Sequence, residues 1–377
     1  MSGQSTATPP AVPPKLALIA LIALVIAGLA ALDRFLANAQ DAEVRRLAEQ
    51  SYLDGRRLRQ EGKIVEAIEA LRKAHALERR NTEHELELID ALIATRKADQ
   101  AQFLVRDVLE REPNNGRANL LAAHLMIANG KAADAEFYYH RAVYGEWRGD
   151  AAASRVSVRM ELADFLARRN KQQELLAELL PLQAEVSKNP AAELHLARLF
   201  LAAGSPSRAA NEFRTIINQN ATNATAYAGL GEAELSRGEY RLAHEAFLAA
   251  AAHKPDDPSI RRQLELSSML IAVDPTPRKL TSTEKYRRSL QILNSARSGL
   301  ERCAAKGPAL KYDRVRELLT SANRVSSNKP RRGVTNEIAE EALSLAEEIW
   351  QTRIKICGEP VPADEQALRL VMQKLSQ

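Results

Sequence analysis

The pattern of Ala224–Asp257 returns along the chain at a spacing of about 34 residues, and this internal repeat constrains the fold more than any other feature. In its first half, Tyr227, Gly231 and Leu235 recur at four-residue steps, which is the spacing of one face of an α-helix. Gly238 follows, where a tight turn needs a backbone conformation that glycine adopts cheaply. The unit therefore begins with a helix that ends in a glycine turn.

The second half of the unit predicts another helix, with Ala243, Phe247 and Ala250 on one face. Pro255 ends it, because proline cannot continue the helical hydrogen bonds. Six copies keep this register, with one longer step between the third and fourth, and the residues equivalent to Ala243 are Ala67, Ala101, Ala135, Leu175 and Ala209. The small residue of the first helix keeps the same rhythm at Gly55, Ala123, Ala163, Ala197 and Gly231, and Ile89 replaces it in the second unit.

This unit of small residue, turn glycine, alanine–large apolar–alanine and proline resembles the tetratricopeptide repeat. The resemblance covers residues 48–257 and implies an all-α fold, a right-handed superhelical solenoid of about six helix pairs. Such a stack explains how 377 residues fold without one central core, since each unit packs only on its neighbours. The fourth unit departs most, because Leu175 and Leu182 replace two alanines.

The resemblance also implies a groove lined by the first helix of each pair, which binds a protein or peptide partner. We expect it to be an apolar floor with scattered charges. The Lys/Asn set that clamps a terminal carboxylate in some such proteins is replaced by Tyr52 and Arg56. Alternatively, the groove leucines simply pack against neighbouring helices. The groove positions carried over are Tyr52, Arg56, Arg59, Leu86, Asp90, Ile93, Leu120, His124, Ile127, Leu194, Arg198, Leu201, Ala228, Glu232 and Leu235.

The chain starts with a polar, proline-rich segment, residues 1–15, which we expect to be disordered. Leu16–Leu32 then carries no charged or polar side chain, and its seventeen residues would span roughly 25 Å as a helix. We interpret residues 16–37 as a single transmembrane anchor. A cleavable signal with an Ala37–Ala39 site and a buried soluble helix are the alternatives. A short tail before one apolar segment favours an exported, periplasmic body, whereas arginines after the span favour a cytoplasmic one.

Residues 258–273 are predicted to form a capping helix, and residues 274–377 a separate basic helical domain of no recognised family. Between Thr276 and Gly333 fifteen basic residues face four acidic ones, which gives this segment a charge of about +11. Such a patch would bind an anionic lipid or polysaccharide, or it is a solvated face whose charges match the acidic repeats. Nucleic acid is disfavoured, because few aromatic residues are available for stacking. The patch residues are Arg287, Arg288, Arg314, Arg316, Lys329, Arg331 and Arg332.

Cys303 and Cys357, the two cysteines, each fall at the C-terminal end of a predicted helix. In an up–down–up arrangement those ends meet, so a disulfide is geometrically sensible and would imply an oxidising compartment. Two unrelated thiols are the alternative.

The chain shows none of the catalytic or nucleotide-binding motifs that would predict an enzyme, and no metal-ligand spacing. We therefore expect no catalytic, cofactor or metal residues and no small-molecule substrate. In the longer step between the third and fourth units, Trp147 either packs under its own loop or anchors a partner. The sequence predicts a membrane-anchored scaffold for an envelope complex, with an anionic-ligand receptor as the alternative.

Overall fold

The computed structural model describes residues 14–186, 189–305, 313–327, 334–358 and 365–376, without the side chains of residues 14–22 and 25. These residues form seventeen α-helices and no strand. In chain order the helices are α1 Pro14–Gln60, α2 Ile64–Leu77, α3 Thr82–Ala94, α4 Ala98–Arg111, α5 Gly116–Ala128, α6 Ala132–Val143, α7 Ala151–Arg168, α8 Gln172–Glu185, α9 Pro190–Ala202, α10 Pro206–Gln219, α11 Ala224–Ser236, α12 Tyr240–His253, α13 Pro258–Val273, α14 Ser282–Ala304, α15 Asp313–Ser327, α16 Asn336–Cys357 and α17 Gln366–Leu375.

The helices pair as the repeat pattern predicts. The turn between the two helices of each pair contains one residue in the left-handed backbone conformation, with a positive φ. Four of these turn residues are glycines, Gly62, Gly130, Gly204 and Gly238. The other two are Arg96 and Asn170, which keep the same register with a positive φ although neither is glycine. The register therefore fixes the turn more strongly than the residue type does.

The connections between pairs are also periodic, because an asparagine or aspartate caps the next first helix. The Asn81 side chain accepts hydrogen bonds from the backbone N–H groups of Glu83 and His84, which would otherwise lack partners. Equivalent caps are Asn115, Asn189, Asn223 and Asp257. In the fourth unit α7 starts earlier, with Asp150 accepting from the N–H of Ala153.

Small residues let the two helices of a pair approach closely. A Cβ atom built on Gly231 of α11 would lie 2.5 Å from Cε1 of Phe247 in α12. Gly55 plays the same part in the first pair, where a Cβ would lie 2.6 Å from Cγ of Leu71. These contacts explain why the small position recurs, since a side chain there would displace the large residue opposite.

The chain divides into two compact units, residues 1–162 and 163–377. In the second unit, α13 packs on α12 and is itself covered by α14 and α17. Leu235, Phe247 and Leu270 share one buried core with Ile292 and Val371 from α14 and α17. The predicted separate C-terminal domain is therefore wrong in this respect. The last repeat and the C-terminal helices share one core, because α17 returns to cover the end of the repeats.

Helix α1 continues without interruption from Pro14 into the first repeat. Of the helices that the structure describes, none meets the length and apolarity needed to cross a membrane. The predicted anchor falls partly on residues 16–22 and 25, whose side chains lie outside the described set, and the predicted tail lies mostly outside it too. The transmembrane anchor therefore stays a prediction.

Candidate protein-binding surface

The first helices of successive pairs contact one another within each unit. In residues 1–162, α3 lies against α1 and α5, and in residues 163–377 α9 lies against α11. We call the surface formed by α1, α3 and α5, and separately by α9 and α11, the first-helix face. It carries the groove positions predicted from the sequence.

Exposure divides the predicted groove residues of the first unit. Ile127 of α5 is 40% exposed and Leu120 is half-buried, so both can meet a partner. Leu86 is 1% exposed and cannot do so, which corrects its assignment to the groove. The reason is that α3 is packed against α1, α2, α4 and α5, so few of its side chains reach the surface. Tyr52, Arg59, Asp90, Ile93 and His124 are half-buried, and Arg56 is exposed.

Ion pairs join the three first helices of this unit across their shared face. Arg59 of α1 pairs with Glu87 of α3 at 2.7 Å and also with Asp90. Arg117 of α5 pairs with the same Glu87 at 2.6 Å and with Glu83 at 3.2 Å. The floor is therefore a bridged charge network, more polar than the apolar floor that the sequence predicts. Glu87 and Arg117 were missed, because neither lies a whole number of 34-residue repeats from Arg59.

Histidines and aromatic rings complete the first-helix face of this unit. The His124 Nε2 atom lies 2.5 Å from a carboxylate oxygen of Glu161, and the Tyr139 hydroxyl donates to the same oxygen at 2.7 Å. At the other edge, the guanidinium of Arg56 lies 5.7 Å from the centre of the Tyr52 ring. The His124 site is thus a hydrogen-bonded bridge between α5 and α7.

In the second unit the face is formed by Leu194, Arg198 and Leu201 of α9 and by Ala228 and Glu232 of α11. Arg198 and Glu232 are exposed, Leu194, Leu201 and Ala228 are half-buried, and Leu235 is buried, so Leu235 does not belong to the surface. The surrounding protein reduces hydration of the Glu232 carboxyl and so raises its pKa, an effect that Arg198 partly offsets.

Trp147 lies within its own loop. Its indole N–H donates to the carbonyl of Ala142 at 2.9 Å, and its ring lies against Gly116 at the start of α5. Gly116 itself is tied to this loop, since its N–H donates to the carbonyl of Glu146 at 2.8 Å. The side chain thus closes the longer connection between the third and fourth pairs.

The four described arginines of the predicted anionic-ligand patch all have carboxylate partners within the chain. Arg287 and Arg288 both bind Glu284, Arg314 binds Glu317 and Glu348, and Arg316 binds Asp313. Arg288 also donates to the carbonyls of Ile271 and Asp274, each at 2.8 Å. Lys329, Arg331 and Arg332 lie outside the described residues. The patch stays a prediction, with part of its charge neutralised locally.

Cys303 and Cys357 are joined by a disulfide between the C-terminal ends of α14 and α16, with their Cα atoms 6.2 Å apart. Within the described residues, no group of three or more His, Cys, Asp or Glu side chains is arranged to hold a metal ion.

Tetratricopeptide repeats are recognised in this all-helical chain. The family model described as "Tetratricopeptide repeat" matches residues 58–111 and 200–264. These two stretches contain helix pairs from both compact units.

One curated relative is "Cellulose synthase operon protein C" of Pseudomonas fluorescens (strain SBW25), which is 24% identical over 258 residues. The match covers 67% of this chain and 20% of the relative, so this chain spans about a fifth of the relative's length. Among solved structures, YrrB, a TPR protein with an unusual peptide-binding site, has a TM-score of 0.44 at 15% identity, covering 52% of this chain and 99% of YrrB. PilW, a type IV pilus biogenesis factor, has a TM-score of 0.43 at 16% identity, covering 58% and 98%.

Proposed function

We propose that this protein is a membrane-anchored scaffold that binds a protein or peptide partner on its first-helix face. The main support for this proposal is that Leu120, Ile127 and Leu194 are accessible on that face, close to charged side chains. Apolar side chains would supply contact area, and the bridged carboxylates and arginines would orient a partner through hydrogen bonds. Tetratricopeptide-repeat folds bind proteins or peptides in this way, which supports the assignment.

The anchor is proposed from α1. Six of its large apolar side chains, Leu24, Ile26, Leu29, Leu32, Phe35 and Leu36, are 53–71% exposed. A lipid bilayer would cover such side chains without requiring a protein partner. From Leu32 to Ala48, where α1 first becomes buried, the helix rises about 24 Å at ~1.5 Å per residue. An uninterrupted helix would hold the repeats at a set distance from the membrane surface.

We place the repeats outside the cytoplasm, because a disulfide persists in an oxidising compartment. The curated relative's name links that protein to a cellulose synthase operon. We extend this link to a role for the present chain in an envelope assembly complex. Thiol trapping in cells tests the compartment: Cys303 and Cys357 should react with a maleimide only after reduction. Immediate reaction of both thiols in denaturant would place the body in the cytoplasm.

The partner surface is tested by site-specific photocrosslinking in cells that express the full chain. A photoreactive residue at Ile127 or Leu194 should give a discrete crosslinked protein. The matched control positions are Phe103 and Leu248, which are exposed large apolar residues on the second helices α4 and α12. Equal crosslinking from both sets would show that the first-helix face has no special role.

A charge substitution tests the same surface by co-purification. Ile127→Asp should abolish co-purification of the protein that photocrosslinking identifies, because a carboxylate in an apolar contact loses its hydration. Phe103→Asp should retain it, and both substitutions should preserve the fold since both side chains are exposed.

A second candidate is a receptor for anionic lipid or polysaccharide, favoured by the charge of about +11 on residues 276–333. Arg314→Glu and Arg316→Glu test this candidate. A substitution of Arg288 would test it less well, because the side chain of Arg288 also donates hydrogen bonds to backbone carbonyls and so supports the fold. In a chain lacking the anchor segment, these substitutions should reduce binding to phosphatidylglycerol vesicles. The exposed Arg57→Glu in the first repeat is the control. Unchanged vesicle binding would remove this candidate.

A further inference from the structure

Helix α17 is held at both ends by buried charges. At its start, Glu365 is 4% exposed and accepts a hydrogen bond from Arg302 at 2.9 Å, while its other oxygen lies 3.1 Å from Nε of Arg353. At its end, Lys374 donates to the carbonyl of Gly238 at 2.7 Å and to Asp274 at 2.9 Å. The helix is thus fixed to the C-terminal ends of α14 and α16 and to the turn of the last repeat.

The apolar side of α17 packs against α13 and α14, next to that last repeat. Leu368, Val371 and Met372 are buried in the shared core. The Tyr240 hydroxyl of α12 donates to the carbonyl of Leu370 at 2.8 Å, and the Lys374 ammonium lies 4.7 Å from the centre of the Tyr240 ring. Release of α17 would therefore expose both its own apolar residues and the Tyr240 surface.

The disulfide lies in the same helical turns that hold Glu365. Arg302 directly precedes Cys303, and Arg353 lies one turn before Cys357. Gly299, one turn before Cys303, leaves the space for the carboxylate, since a Cβ there would lie 3.2 Å from it. The two arginines that hold Glu365 therefore sit on the two helix ends that the disulfide joins.

Loss of this covalent link would affect Glu365 first. The last turn of a helix frays readily, because its carbonyls lack helical partners. Once α14 and α16 end independently, Arg302 and Arg353 are no longer held at one spacing. A buried carboxylate that loses one of two cationic partners is strongly disfavoured, so the start of α17 would leave its site.

We propose that the Cys303–Cys357 disulfide is a redox-controlled latch that keeps α17 docked on the last repeat. A dithiol reductant cleaves the S–S bond to two thiols and supplies two electrons and two protons as it closes its own disulfide. Cys357 is exposed and Cys303 half-buried, so the bond is accessible to such a reagent. Reduction releases α17 and exposes its apolar side together with the Tyr240 side chain, while re-oxidation restores the docked position.

Hydrogen–deuterium exchange on the purified full chain in detergent tests the latch, comparing oxidised protein with protein reduced by dithiothreitol. Amides of residues 365–376 should exchange at least about tenfold faster after reduction, while Pro190–His253 should be unchanged. Re-oxidation should restore slow exchange. An unchanged exchange rate in α17 would overturn the proposal. An equal increase in the exchange rate through α9–α12 would also overturn it, because the disulfide would then stabilise the whole unit and not α17 alone.

A variant separates the carboxylate from the bond itself. Glu365→Gln in the oxidised chain should release α17 as reduction does, because a neutral amide no longer pairs with both arginines. The control is Glu301→Gln, an exposed neighbour on α14 that pairs only loosely with Arg297 at 3.8 Å. If Glu365→Gln leaves α17 protected, the disulfide does not act through this site and the latch is refuted.

Discussion

Glu87 in the repeats and Glu365 in the C-terminal helices are both buried carboxylates that lie between two arginines. Around Glu87, the arginines come from the preceding and following first helices, at Arg59 and Arg117. Around Glu365 they come from α14 and α16, at Arg302 and Arg353. The first arrangement joins first helices of successive repeats, whereas the second joins segments of the chain that share no period.

The two sites also differ in solvent access, which sets how much each contributes to stability. Arg117 and Arg59 are about one-third exposed, so water shares in their pairing with Glu87. Arg353 is as buried as Glu365, and it also donates to the carbonyl of Gly358 at 2.8 Å. Arg302, the other partner of Glu365, is half exposed. The comparison shows that both partners of Glu87 are partly hydrated, while Glu365 has one enclosed partner and one hydrated one.

The largest effect is expected from Arg353→Met, which leaves Glu365 buried with one partner. Breaking a buried pair costs about 3–5 kcal/mol, so we expect a loss of that size in the free energy of unfolding of the second unit. Chemical denaturation followed by exchange within α14–α17 measures it. Arg353→Met combined with Glu365→Leu should be more stable than Arg353→Met alone. If the double variant is less stable than Arg353→Met alone, then lost packing, and not the unpaired charge, accounts for the loss in the free energy of unfolding.

Gly231→Ala tests near-neighbour packing in the repeats, where no charge is involved. The added Cβ would press on the Phe247 ring, and overpacking of this kind costs about 1–3 kcal/mol. A lower unfolding midpoint for α11 and α12 is the expected readout. Phe247→Leu should recover part of the loss in the Gly231→Ala background. Gly28→Ala is the control, since nothing lies within 4 Å of a Cβ there.

Arg117→Met should lower the free energy of unfolding by about 2 kcal/mol. This lies between the ~0–1 kcal/mol of exposed ion pairs and the ~3–5 kcal/mol lost when an enclosed pair is broken. Glu87 would keep Arg59 as a partner, which limits the loss. Denaturation of the first unit measures the change. Arg57→Met, which removes exposed pairs with Asp54 and Glu61, should change the free energy of unfolding much less, because water screens these pairs. Equal losses for the two variants would show that the bridged position of Glu87 adds nothing.

The smallest effect concerns exposed charge at the start of α14. Hydrogen bonds from Arg287 and Arg288 lower the pKa of Glu284 to about 2. A lowered folded-state pKa stabilises the folded form above the usual carboxyl value of 4.5, and this contribution disappears as the pH falls from 4.5 towards 2.

NMR titration of the Glu284 carboxyl should therefore show a midpoint near pH 2. Glu284→Gln should remove the associated loss of helix protection in acid. A midpoint near 4.5 would mean that the two arginines do not hold the carboxylate in solution.

The sequence predicts the helix pairs well because each repeat is a local structure. One repeat step from Gly62 leads to Arg96, and one from Gly130, extended by the longer connection, leads to Asn170. Arg96 and Asn170 do adopt the left-handed turn conformation, although their residue types alone would not predict it. Gly231 was likewise expected to permit close helix contact, and its partner Phe247 was visible in the same unit.

The groove was harder to predict because exposure depends on how neighbouring helices pack. Leu86 and Leu120 occupy equivalent positions, yet Leu86 is buried and Leu120 is only half-buried. The bridging role of Glu87 needed the structure, because its spacing to Arg59 and Arg117 does not match the repeat step and other carboxylates lie nearby in the sequence. The basic segment shows the same limit, since its arginines find carboxylates such as Glu348 from a distant helix.

The sequence by itself determined the repeat architecture, its turns, and the helical character of the C-terminal region. These features depend on residues within one or two turns of helix, or on a register that repeats. Only the tertiary structure decided that α17 folds back on the last repeat and that Glu365 meets Arg302 and Arg353 beside the disulfide. Those contacts join segments with no shared period, so no local pattern in the sequence encodes which side chains meet.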